Sequence, residues 1–105
     1  MTIHHITELT EFQTLIAQNT KVVVDFTATW CGPCKMISPE FDKLSQDTNY
    51  SQWTFCKVDV DDGDEIANEC NITAMPTFHY YVNGKLADQF SGADVNTLVT
   101  KIKAL

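Results

Sequence analysis

Positive charge is scarce in this sequence. Its 105 residues include seven lysines and arginines against fourteen aspartates and glutamates, which gives a formal net charge of −7 at pH 7. Proteins that bind nucleic acid present a basic surface to the phosphate backbone. The charge balance therefore predicts that this protein has no nucleic-acid partner.

Long hydrophobic runs are also missing. No stretch approaches the roughly 20 consecutive apolar residues that a membrane-spanning helix requires. The N-terminal residues, Met1 to His5, have neither the basic start nor the apolar segment of a secretory signal peptide. We therefore expect no membrane partner and a cytoplasmic location, where thiols are kept reduced.

Repeats, linkers and low-complexity tracts are absent as well. The length and a hydrophobic content of 44% suit one domain over residues 1–105, with a core that does not depend on structural disulfides. In a reducing compartment, a close pair of cysteines is better explained by catalysis or metal binding than by structural cross-linking.

The sequence does contain such a pair. Cys31 and Cys34 follow residues 22–26, an apolar run typical of a buried strand, and apolar residues recur at helical spacing from about position 34 to 44. Cys31 is therefore expected at or next to a helix N-terminus, where unpaired N–H groups and the helix dipole favour negative charge. Because the thiolate is the reactive form of cysteine, the spacing predicts a redox-active dithiol. Cys31 would be the exposed nucleophile and Cys34 the resolving thiol.

Hydrophobic periodicity predicts the other elements. These are a strand at 2–6, a helix capped by Thr7 and ending near Asn19, strands at 22–28 and 53–60, a long helix with Pro39 inside, a short helix at 64–70, a hairpin of strands 77–82 and 86–90 around Asn83-Gly84, and a last helix ending with Lys101 and Lys103. The order β-α-β-α-β-α-β-β-α predicts an α/β fold, with a mixed five-stranded sheet flanked by four helices.

Asp25 interrupts the apolar run before the cysteines. A buried carboxylate is costly unless it is paired or protonated. The residues alone leave two explanations open: Asp25 caps a turn or reaches a sheet edge, or it is a buried acid close to the dithiol.

Metal sites are disfavoured. One Cys-x-x-Cys supplies two of the four ligands of a structural zinc site, and Cys56 and Cys70 are not spaced as a second pair. The acidic residues at 59–65 do not fit a calcium loop, because Val58 and Val60, which cannot coordinate the ion, would occupy its first and third ligand positions. We read Cys56 and Cys70 as unreactive thiols.

The segment Trp30-Cys31-Gly32-Pro33-Cys34-Lys35 resembles the active site of the thioredoxin family. The likeness continues in order along nearly the whole chain, through Val24-Asp25-Phe26, Val58-Asp59-Val60-Asp61, Met75-Pro76-Thr77, Asn83-Gly84 and Phe90-Ser91-Gly92-Ala93. The resemblance implies the thioredoxin fold and protein-disulfide reductase activity. Gly63 and Ala74 stand where some animal thioredoxins carry extra cysteines, so the resemblance does not extend to a second, regulatory disulfide there.

The resemblance also implies roles for individual residues. Asp25 would lie behind Cys34 and help its proton leave, and Lys57 matches the lysine that approaches this acid. Met75-Pro76 would be cis and face the dithiol, although only about 5–6% of X–Pro bonds are cis. The substrate-binding surface would comprise Trp30, Gly32, Pro33, Val60, Met75, Pro76, Gly92 and Ala93.

By the same resemblance, the chain binds no cofactor and works through a redox-active disulfide between Cys31 and Cys34. Electrons would come from a thioredoxin reductase that uses NADPH, and the clients would be disulfide-containing proteins. We expect a monomer. Two other functions stay open at this stage: a non-enzymatic interaction module, and an oxidase or isomerase domain of the secretory pathway.

Overall fold

The computed structural model describes residues 3–105, so Met1 and Thr2, the latter in the strand expected at 2–6, lie outside it. Within that range the chain forms five strands and four helices, with one 3-10 turn. The strands are β1 (Ile3–His5), β2 (Lys21–Thr27), β3 (Thr54–Asp59), β4 (Thr77–Val82) and β5 (Lys85–Ser91); the helices are α1 (Leu9–Gln18), α2 (Gly32–Gln46), α3 (Asp64–Glu69) and α4 (Val95–Ala104); the 3-10 turn is Thr48–Tyr50.

The strands make one mixed sheet in the order β1-β3-β2-β4-β5. Strands β1 and β2 both run parallel to β3, while β4 is antiparallel to β2 and to β5. The predicted topology, with three parallel strands and a terminal hairpin, is confirmed. Asn83 and Gly84 close that hairpin with φ of 53° and 81°, the left-handed values that a tight two-residue turn requires.

Strand β2 is buried on both faces because each face carries its own core. Val22, Val24 and Phe26 belong to the cluster formed with α1 and α3. Val23 belongs to the opposite cluster, which includes Ile37 of α2. Alternation along a strand explains this division and the nearly continuous apolar run in the sequence.

Two of the differences from the predicted helices have a local cause. Thr7 is not the N-cap of α1, because the first helical hydrogen bond runs from the N–H of Phe12 to the carbonyl of Glu8, which makes Glu8 the cap residue. The 3-10 turn after α2 was not predicted. There the Asp47 side chain accepts the N–H of Asn49 at 2.9 Å, a local bond that competes with continuing the helix.

The loops that form the site lie together along one edge of the sheet, at the carboxyl ends of β2 and β3. Since β2 and β3 are parallel, both end at this edge, and the antiparallel β4 begins there. Two backbone hydrogen bonds tie the loops together: the N–H of Val60 donates to Thr27 at 2.9 Å, and the N–H of Gly92 donates to Pro76 at 2.9 Å. Within residues 3–105, no helix is both long and apolar enough to cross a membrane.

Candidate active site

Cys31 and Cys34 are joined in a disulfide at the start of α2. Cys31 is the N-cap residue, and its Sγ accepts the backbone N–H of Cys34 at 3.2 Å. Pro33 lies in the first turn, where its missing N–H costs no helical hydrogen bond. The predicted position of Cys31 at a helix N-terminus is confirmed, and there the N–H groups and dipole of α2 favour a thiolate.

Cys31 is less accessible than expected. Cys31 is 6% exposed and Cys34 is 2% exposed, so the description of Cys31 as an exposed nucleophile is wrong for this disulfide form. Both residues pack with Ala28, and Val60 and Met75 cover the same cluster. A partner disulfide must therefore reach Cys31 through the surface formed by the surrounding loops.

The Met75-Pro76 bond is cis, as the family resemblance implied and contrary to the base rate. The carbonyl oxygen of Met75 lies 3.8 Å from Cys31 Sγ. The backbone of this loop thus faces the disulfide. The ring of Pro76 is buried, and its carbonyl is occupied by the N–H of Gly92.

The other expected substrate-binding residues surround this point. Trp30, at 65% exposure, is the most prominent, and its indole N–H donates to Asp61 Oδ2 at 2.9 Å. Gly32, Pro33 and Ala93 are exposed. Sequence reasoning named Asp61 only within the acidic segment 59–65 and did not foresee that it accepts the indole N–H of Trp30.

Met36 is a second residue near the disulfide that sequence reasoning missed. This apolar side chain is 77% exposed in the second turn of α2, close to the disulfide, and the sequence analysis passed over it. Its position outside the apolar stripe that packs Ile37 and Phe41 on the sheet was the available signal.

Asp25 is buried in the middle of the central sheet. It is 1% exposed and sits inside β2, so the turn-cap and sheet-edge explanations are wrong. Burial raises the pKa of Asp25 to about 7, because the charged form loses its hydration, while Lys57 acts in the opposite direction. Among the described residues, its Oδ1 atom has no hydrogen-bond partner. Asp25 can therefore gain or lose a proton near neutral pH.

Lys57 pairs with Asp25 in the parallel β2–β3 ladder, but its ammonium is held by α2. Nζ donates to Ser38 Oγ at 2.8 Å, lies 2.9 Å from Asp42 Oδ1, and is 5.9 Å from the centre of the Phe41 ring. Sequence reasoning missed Ser38 and Asp42. Their spacing of four residues on one helix face, beside the core stripe, was the signal that could have found them.

The other two cysteines are remote from this chemistry. Cys56 is fully buried, and burial raises the pKa of its thiol to about 12. Cys70 is partly buried after α3, with Sγ 3.6 Å from the Tyr81 hydroxyl, and burial raises its pKa as well. No group of three or more metal-ligating side chains occurs in the described part of the chain.

A disulfide in the first turn of a helix, faced by the carbonyl of a neighbouring loop and set at the edge of a mixed sheet, defines a thiol–disulfide oxidoreductase. The comparisons with known proteins narrow this class. The family model named Thioredoxin matches residues 3–104. The chain belongs to the thioredoxin family, and dithiol–disulfide exchange is its function.

Individual relatives are similar to this chain in sequence over nearly its whole length. A thioredoxin of Ictalurus punctatus is 50% identical over 100 residues, covering 93% of this chain and 94% of the relative. Thioredoxin-1 of Schizosaccharomyces pombe is 45% identical and covers 97% of both chains. The solved oxidised form of mitochondrial thioredoxin 3 from Saccharomyces cerevisiae has a TM-score of 0.92 at 50% identity, covering 98% of this chain and 95% of that one. The expected fold class is thereby confirmed.

Proposed function

We propose that this protein works in the reducing direction, delivering electrons to disulfides of client proteins. The observation that carries the proposal is that, within residues 3–105, one helical N–H contacts Cys31 Sγ, that of Cys34 at 3.2 Å. Gly32 has no side chain and Pro33 has no N–H, so these two residues offer the sulfur no side-chain donor and only one backbone N–H, that of Gly32. A thiolate stabilised only this far leaves the disulfide form comparatively favourable, which makes the dithiol a good reductant.

In the proposed reaction, the Cys31 thiolate attacks one sulfur of a client disulfide. A mixed disulfide forms, and the other client sulfur leaves as a thiolate that takes up a proton. Cys34 then loses its proton and attacks the Cys31 sulfur, which releases the second client thiolate and forms the Cys31–Cys34 disulfide. Two electrons pass from the dithiol to the client.

Asp25 is proposed as the group that accepts the Cys34 proton. A general base is most effective when its pKa lies near the working pH, and burial brings the pKa of Asp25 to about 7. Lys57, its neighbour in the β-ladder, is proposed to tune this acidity.

The client-binding surface is proposed to be the apolar patch around the disulfide, with the Met75 backbone available to pair with an extended peptide. Its members are Trp30, Gly32, Pro33, Val60, Met75, Pro76, Gly92 and Ala93. The exposure of Trp30 and the approach of the Met75 carbonyl to Cys31 support this assignment.

We further propose one domain over residues 1–105, acting as a monomer in the cytoplasm and regenerated by a thioredoxin reductase that uses NADPH. The acidic net charge of −7 and the apolar patch suit protein clients. One relative, 50% identical, is a mitochondrial thioredoxin of Saccharomyces cerevisiae, so proteins with this sequence pattern work in more than one compartment.

Insulin reduction followed by turbidity, with dithiothreitol as electron source, tests the activity. Wild type and the Cys70→Ser control are expected to accelerate precipitation, and Cys34→Ser is expected to be nearly inactive because its mixed disulfide is not resolved. Equal, unaccelerated precipitation by all three would indicate a non-enzymatic module. The direction is tested by the reduction potential: about −270 mV, the value of thioredoxins themselves, supports a reductant, whereas about −180 to −120 mV indicates an oxidase or isomerase.

A further inference from the structure

We propose that Ser38 and Asp42 are positioning residues that hold the Lys57 ammonium against α2, away from the unpartnered oxygen of Asp25. This inference rests on the proposed role of Asp25 as a proton acceptor and assigns the side chains that keep it suited to that role.

The geometry separates Lys57 from its strand neighbour. Asp25 and Lys57 are paired in the β2–β3 ladder, so the ammonium could have turned toward the carboxyl group beside it. Instead, Nζ has Ser38 Oγ at 2.8 Å and Asp42 Oδ1 at 2.9 Å, both on α2. The Phe41 ring, 5.9 Å from Nζ, completes the enclosure. The Lys57 side chain is 13% exposed, so these contacts are shielded from bulk water.

The charges around Asp25 are few. Burial has the largest effect on the pKa of Asp25 and raises it. Lys57 on β3 lowers this pKa, and Asp42 on α2 raises it further. The buried thiol of Cys56 on β3 also senses the Asp25 charge, and the β4 residue paired with Asp25 is the apolar Phe78. Cys34, the thiol to be deprotonated, is on α2. Asp42 therefore offsets part of the lysine charge, which lowers the proton affinity of Asp25.

Ser38 and Asp42 are expected to differ in the size of their effect on the Asp25 pKa. Asp42 brings a full negative charge, so replacing it leaves Lys57 uncompensated. Ser38 lines a cleft of about 380 Å³ that also reaches Cys34, so a water molecule can take the place of a lost hydroxyl. Removing Ser38 should therefore have the same direction of effect as removing Asp42, but a smaller size.

The test is a titration of the Asp25 carboxyl carbon by NMR in the oxidised protein, in which Cys31 and Cys34 do not titrate. Asp42→Asn is expected to lower the Asp25 pKa by about one unit, a tenfold change in proton affinity. Ser38→Ala is expected to lower it by less. Glu40→Gln is the matched control: it removes one negative charge from the same helix, but its partner is Lys43 at 3.8 Å rather than Lys57, and no shift is expected.

A double-mutant cycle separates positioning from direct charge repulsion. If Asp42 acts through Lys57, the shift caused by Asp42→Asn is at least halved in a Lys57→Met background. A shift of undiminished size in that background overturns the proposal, as does an unchanged Asp25 pKa in Asp42→Asn. Asp42 is half exposed, so the Asn variant is expected to fold, and Ser38→Ala provides a second, uncharged test.

The pH–rate profile of the resolving step tells this inference apart from the proposed role of Asp25. In Asp42→Asn the profile is expected to move to lower pH by the same amount as the Asp25 titration. If the titration moves, the shift is at least halved in the Lys57→Met background and the profile does not move, Ser38 and Asp42 do position Lys57, and it is the role of Asp25 as proton acceptor that fails.

Discussion

Asp25→Asn is expected to stabilise the protein at alkaline pH, with the gain disappearing in acid. The pKa of Asp25 in the folded protein is about 7, against 3.8 for an ordinary aspartate, because the carboxyl group is 1% exposed within β2. The folded state therefore holds this proton more tightly than the unfolded chain does. The resulting stabilisation is complete below about pH 4 and is lost as the pH rises to about 7.

The magnitude follows from the shift. Folding raises the pKa of Asp25 by about 3, and each pKa unit is worth about 1.36 kcal/mol. The wild type therefore loses about 4 kcal/mol of stability between acid and alkaline pH. Asparagine cannot ionise and has the shape of the protonated acid. The variant should thus equal the wild type near pH 4 and exceed it by about 4 kcal/mol at pH 8.

Urea unfolding of the oxidised protein across pH 4 to 8 measures this difference, provided the m-value stays constant. Asp94→Asn is a control of opposite sign, because the Thr97 N–H and hydroxyl lower the pKa of Asp94. That variant should be less stable than the wild type by a nearly constant amount across this range, because the Asp94 contribution is lost only as the pH falls below 3.8, the ordinary aspartate pKa. If the wild-type and Asp25→Asn curves run parallel at every pH, the assignment of a perturbed, buried acid is refuted.

Three further predictions concern the dithiol, the client surface and the core. In the reduced protein at pH 7, iodoacetamide should modify Cys31 well before Cys70, since the start of α2 favours the Cys31 thiolate whereas burial raises the Cys70 pKa; equal rates by peptide mass mapping would contradict this. Asp61→Ala should raise KM for a protein disulfide with kcat nearly unchanged, because the Trp30 indole loses its hydrogen-bond acceptor. An unchanged KM would show that the orientation of Trp30 does not contribute to client binding. Phe41→Ala should cost about 3–5 kcal/mol in urea unfolding, because its buried ring packs against two others, and a loss below about 1 kcal/mol would contradict this packing.

Most of the fold was predictable because its signals are local. The apolar alternation that gives β2 two cores, the helical stripe containing Ile37, and the Asn83-Gly84 turn each depend on neighbouring residues. Boundaries were less predictable: α1 is capped at Glu8 rather than Thr7, since one backbone hydrogen bond decides the first helical residue.

The sequence by itself determined the strand order along the chain, the helix that contains Cys34, and the position of Cys31 at the N-terminus of that helix. These follow from periodicity and spacing, whose energies are set within a few residues. Only the tertiary structure decided which distant side chains meet. Trp30 pairs with Asp61 through the joining of two loops, and Lys57 turns from Asp25 to Asp42 because α2 packs across β3. Contacts of this kind depend on how whole elements pack. The spacing of Ser38 and Asp42 places them on one helix face, but no local pattern shows which distant side chain that face meets.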